Sequence, residues 1–66
     1  MGYDRFVKAV KDQIGKRGIK QNFVAERIGL SPQAFSRKLN GGTKFTINEI
    51  SKLMKLLDIP PEILLD

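Results

Sequence analysis

The four residues Gly29-Leu30-Ser31-Pro32 stop one helix and start another with almost no chain between them, and they constrain the fold more than any other stretch. Val24, Ala25 and Ile28 recur on one helical face, and Gly29, which adopts positive φ without steric cost, closes it. The helix is predicted to end at about Ile28. Ser31 then offers an oxygen to the free N–H groups of a new helix, and Pro32 takes the first helical position, where its missing N–H costs nothing. Ala25 is small where two helices joined by a three-residue turn must approach closely, and Leu30 is the apolar plug beneath the corner. The two helices must pack at a steep angle.

Phe35 and Leu39 lie four residues apart and share one face of the second helix, which turns Pro32, Gln33, Ser36, Arg37 and Asn40 away from the core. Two short helices in this relation form a helix-turn-helix, whose second helix enters the major groove of DNA. The outward face carries no acid. Gln33 suits the two hydrogen bonds of an adenine edge and Arg37 those of a guanine edge, so these two are the specificity candidates. An exposed Gln or Arg is more often an ordinary solvated residue, and the motif around these two reverses that balance.

The distribution of charge agrees. The chain has a net charge of +5. No Asp or Glu occurs between Arg27 and Asn48, so the second helix of the motif and the loop after it offer an uninterrupted positive field to a phosphate backbone. Cysteine and histidine are absent, which excludes a disulfide scaffold, a zinc finger and His-based catalysis and leaves apolar packing or dimerisation to stabilise a single 66-residue domain. Paired carboxylates, a nucleophile with its base and a phosphate-binding glycine loop are also missing, so no enzyme, cofactor or metal is expected. Met1 to Asp12 mixes acids and bases without an apolar run, and no segment has the roughly 18 apolar residues of a membrane span. A cytoplasmic, nucleoid-associated chain is the expectation.

The remaining sequence reads as a helical platform. Phe6, Val7, Val10 and Ile14 form an apolar stripe in a helix from Tyr3 or Asp4 to about Arg17. Thr46 and Glu49 form a capping box ahead of a strongly amphipathic helix with Ile47, Ile50, Leu53, Met54 and Leu57 on one side, running to Asp58. Pro60-Pro61 ends it and restarts a short fifth helix through Glu62 to Leu65. The fold class is therefore all-α, a compact five-helix bundle forming one domain over residues 1–66. The loop Gly41 to Phe45, with two glycines, is the one flexible interior segment.

In the stretch AERIGLSPQAFSRKLNG the chain resembles the phage repressor and Cro family of helix-turn-helix proteins, lambda repressor-like in fold, and the resemblance extends over residues 14–65. Ala25, Gly29, Ser31, Phe35 and Asn40-Gly41 stand where the family has its small residue, turn glycine, cap, core residue and helix-ending Asn-Gly. The resemblance implies a short phage or prophage Cro-like repressor that binds operator DNA. It places Gln33 and Arg37 at base-reading positions, with Pro32 and Ser36 beside them. Gln21, helped by Lys20 and the helix N-terminus, would grip a phosphate, and Asn40, Thr43 and Lys44 would clasp the backbone.

Three departures stand out. Pro32 replaces a frequent polar residue, removing one contact from the front of the recognition helix. Ile14 and Leu39 stand where many relatives pair an Arg with a Glu, and two packed aliphatic side chains avoid the desolvation cost of such a pair. Ile14 and Leu39 are expected to touch. Lys38, at a position often apolar, is then expected to snorkel outward and reach a phosphate.

One recognition helix reads only about four or five base pairs, at roughly 1–3 kcal/mol of discrimination per contact, so a dimer on a near-palindrome is expected. Ile59, Pro60, Ile63, Leu64 and Leu65 are the candidate interface, although Ile63 and Leu64 also suit closure of the monomer core. The alternative is a protein-interaction module of the same fold, such as an antitoxin or bridging factor, which would not need the acid-free basic stretch. RNA binding fits less well, since A-form RNA does not admit a recognition helix and Tyr3 is the only exposed aromatic expected for stacking.

Overall fold

The computed structural model describes residues 2–65, which form four α-helices and a closing 3-10 turn. The first helix, α1 (Gly2–Arg17), buries Phe6, Val10 and Ile14, one residue per turn on a single face. It begins at Gly2, slightly ahead of the predicted start. Gly2 is buried against the Leu64 carbonyl, where a side chain would collide with that backbone, and Arg5 donates to the Leu65 carbonyl at 3.2 Å. The two ends of the chain are thereby packed together.

The second and third helices, α2 (Gln21–Arg27) and α3 (Pro32–Leu39), are separated by the predicted turn. Gly29 adopts φ +82°, and the Leu30 N–H donates back to the Ala25 carbonyl at 2.9 Å, satisfying the end of α2. Ser31 caps α3 by accepting the Ala34 N–H at 3.2 Å, with Pro32 at the first helical position. Leu30 is half-buried beneath the corner.

The fourth helix, α4 (Ile47–Leu57), starts at the Thr46–Glu49 capping box, with both reciprocal hydrogen bonds formed. Its C-terminal end reverses the chain. Asp58 takes the left-handed conformation at φ 56°, and the Ile59 N–H donates to the Met54 carbonyl at 3.0 Å, turning Ile59 back into the core. The expected fifth helix is a single 3-10 turn, Pro61–Leu64, held by i to i+3 bonds from Ile63 N–H to Pro60 and from Leu65 N–H to Glu62. Pro60 and Pro61 have no N–H to donate, and four residues cannot complete an α-helical ladder.

The core joins all four helices around Phe6, Phe35, Leu53, Leu57, Val10 and Val24, each almost wholly enclosed. No polar or charged residue among the described ones is buried with them. Ile14 and Leu39 are 8% and 3% exposed and belong to this same cluster. Two expectations need correction. Ile47, counted with the buried stripe of α4, is 85% exposed because the first residue of that helix lies beyond the packed face. Phe45, counted with a flexible loop, is a core residue whose ring lies 6.3 Å from Phe6 and 5.8 Å from Phe35 between centroids. Among the described residues, no helix is long and apolar enough to cross a membrane.

Candidate nucleic-acid interface

The two faces of α3 divide as its apolar spacing demands. Phe35 and Leu39 point into the core, whereas Pro32, Gln33, Arg37 and Asn40 are exposed and Ser36 is half-buried. Asn40 donates its side-chain N–H to the Ser36 carbonyl at 2.9 Å and approaches the Ser36 hydroxyl at 3.4 Å, so it also closes the end of its own helix.

The loop after α3 folds back beside this outer face. Gly41 adopts φ +87°, and the Gly42 N–H donates to the Arg37 carbonyl at 2.8 Å. Thr43 then lines a shallow depression together with Gln33, Ala34, Arg37 and Lys38. Thr43 and Lys44 are exposed, as are Lys20 and Gln21 at the start of α2. A donor-rich helix face thus lies beside the loop that carries Lys44, with no exposed carboxylate between Arg27 and Asn48.

Gly42 touches the stem of Arg37 so closely that a methyl group there would lie 2.5 Å from Arg37 Cγ and 3.3 Å from Cδ. Its backbone is not in the left-handed region, so alanine chiefly strains the side chain of Arg37, with a lesser contact at 3.2 Å from the Arg37 carbonyl oxygen. Gly42→Ala is expected to reorient the Arg37 side chain, read as displaced Arg37 side-chain resonances in NMR spectra of the free chain. Arg37 resonances unchanged in Gly42→Ala would show that this contact does not orient the side chain.

The Cro/C1-type HTH DNA-binding domain family matches residues 10–66 of the chain. The chain belongs to this family. No curated protein and no solved structure matches it.

Within this Cro/C1-type domain, Lys38 is not where sequence reasoning put it. Its ammonium does not reach outward but donates to Glu49 Oε1 at 2.7 Å, and the two side chains are only 16% and 14% exposed. Glu49 Oε1 also accepts the Thr46 N–H at 2.9 Å, so one carboxylate caps α4 and ties it to α3. Burial opposes ionisation of Glu49. The hydrogen bond from Lys38, the Thr46 backbone N–H, the charge of Lys38 and the Thr46 side chain outweigh it and hold the carboxyl below its ordinary value near 4.5.

Tyr3 is the other correction. The Cro/C1-type domain packs it partly buried against the core, and its phenol oxygen accepts the Phe45 N–H at 3.0 Å, so it is not a free stacking surface. The exposed aromatic is Phe23 on α2, 46% exposed, with the Arg27 guanidinium 5.4 Å from its ring centroid. Phe23 and Arg27 are four residues apart on a helix, the spacing that could have revealed this pair.

Proposed function

We propose that this DNA-binding domain is a sequence-specific transcriptional repressor that reads the major groove with the outer face of α3. The observation that carries this reading is the exposure of Gln33 and Arg37 on one face, with Thr43 in the same depression and Lys44 following it. Gln33 and Arg37 read base edges, with Ser36 and Pro32 beside them, while Lys20, Gln21, Asn40, Thr43 and Lys44 hold phosphates. Lys38 leaves the phosphate set, since its charge is committed to Glu49.

A second copy of the chain reads the other half of the operator. Ile59 is only 5% exposed and cannot carry the contact, and Ile63 is partly buried against the core. Leu64 and Leu65 are 38% and 69% exposed, and Leu64 lines an apolar groove with Ile47, Ile50, Met54 and Pro61. This groove is the revised interface. Sedimentation should show a dimer on operator DNA, and a monomer at high concentration with and without operator would exclude it.

Selection from a randomised duplex library at near-physiological salt tests the whole reading. An inverted repeat supports it. Salt-sensitive binding without a consensus would reduce the chain to a non-specific binder, and no binding at all would favour a protein partner. With the consensus known, Gln33→Ala and Arg37→Ala are each expected to relax preference at one base position, whereas Lys44→Ala should weaken all duplexes alike and lower the salt slope by about one unit. Equal losses on every sequence for all three variants would refute this division of roles.

A further inference from the structure

Tyr3 lies in the first turn of α1, yet its side chain holds two consecutive residues of the loop after α3. The phenol oxygen accepts the Phe45 N–H at 3.0 Å, and the Lys44 ammonium stands 5.4 Å from the centroid of the same ring. The ring is itself seated against the core, 6.5 Å from Phe6 between centroids. The loop is also held by the Gly41 N–H to the Lys38 carbonyl, by the Gly42 N–H to the Arg37 carbonyl and by the buried Phe45 ring. Among the described residues, the backbone N–H groups of Thr43 and Lys44 bond to no other group of the chain.

We propose that Tyr3 is a positioning residue for DNA binding, fixing Thr43 and Lys44 where they meet the phosphate backbone while touching no DNA itself. This rests on the reading of the chain as a duplex-DNA binder. The Phe45 ring is already anchored in the core, and the Tyr3 bond adds a fixed backbone direction at Phe45, next to Lys44. A loop fixed in this way loses less conformational freedom on binding, and preorganisation of this kind raises affinity without a new contact. The effect is blind to sequence because it acts through phosphate-facing residues.

Tyr3→Phe keeps the ring and removes the acceptor. It is expected to weaken binding to operator and non-operator duplexes alike by about three- to tenfold, the scale of one hydrogen bond, with the order of base preferences unchanged. A tyrosine that only supported the fold would lower the melting temperature and leave affinity, measured well below melting, at the wild-type level. In a Lys44→Ala background the same substitution should have a smaller effect, because one of the two residues it positions has lost its charge.

Wild-type affinity in Tyr3→Phe, while the unmodified chain binds DNA, would overturn this proposal alone, as would an equal penalty in both backgrounds. Failure of the unmodified chain to bind any duplex would overturn the DNA reading and this proposal together. A further check needs no variant: the Phe45 amide of the unmodified chain should exchange with solvent as slowly as helix amides. Exchange as fast as at Thr43 would mean that no anchor exists.

Discussion

Phe35→Ala is expected to lower the unfolding free energy by about 3–5 kcal/mol, the range for removing a large aromatic from a packed core. Phe35 is wholly buried, and its ring contacts Phe45 at 5.8 Å between centroids, so the cavity would open where α3, the loop after it and α1 meet. A chain of 66 residues has roughly 3–10 kcal/mol of stability at common per-residue values, so this one change removes a large part of it. Urea denaturation followed by far-ultraviolet circular dichroism measures the effect directly. A midpoint within experimental error of the unmodified chain would mean that α3 is not held through its inner face.

The second large effect concerns the pair between α3 and α4. Lys38→Met is expected to cost about 2 kcal/mol at pH 7, less than a fully buried pair because Glu49 keeps the Thr46 N–H and the side chains retain some exposure. Adding Glu49→Gln should restore most of the loss, since glutamine still accepts that N–H and no charge is left without a partner. The sign of the pH dependence comes from the lowered pKa of Glu49 in the folded chain. Its contribution is complete above the ordinary value near 4.5 and is lost as pH falls through the lower folded-state value. The stability gap between the unmodified chain and Lys38→Met should therefore close as the solution is acidified. A gap of constant size from neutral pH to about pH 3 would contradict the proposed role of the carboxylate.

The features legible in the sequence are those whose causes lie within one turn of helix. Gly29, Ser31 and Pro32 act on their own backbone neighbours, and the Thr46–Glu49 box spans three residues, so the helix boundaries around both were readable. The outward placement of Gln33 and Arg37 followed from the spacing of Phe35 and Leu39 alone. What was missed depends on distant partners. Glu49 already had a local role as a cap, and nothing in the pattern indicated that the same oxygen takes the ammonium of Lys38, 11 residues earlier. Tyr3 and Phe45 are 42 residues apart, and Phe45 comes soon after two glycines in a stretch that otherwise reads as loop. Ile59 groups with the candidate dimer interface on sequence alone, because the left-handed turn at Asp58 that brings it into the core falls on a non-glycine residue.

The division of α3 between its two faces has a consequence for how such a chain diverges. Stability is lodged in Phe35, Leu39 and the Ser31 cap, while the side chains of Gln33 and Arg37 form no hydrogen bond with the rest of the described chain. Substitutions at positions 33 and 37 are therefore nearly invisible to folding. If Gln33 and Arg37 read bases as proposed, descendants of this sequence can drift to unrelated targets while remaining the same scaffold, and two of them with indistinguishable melting curves can answer to different genes.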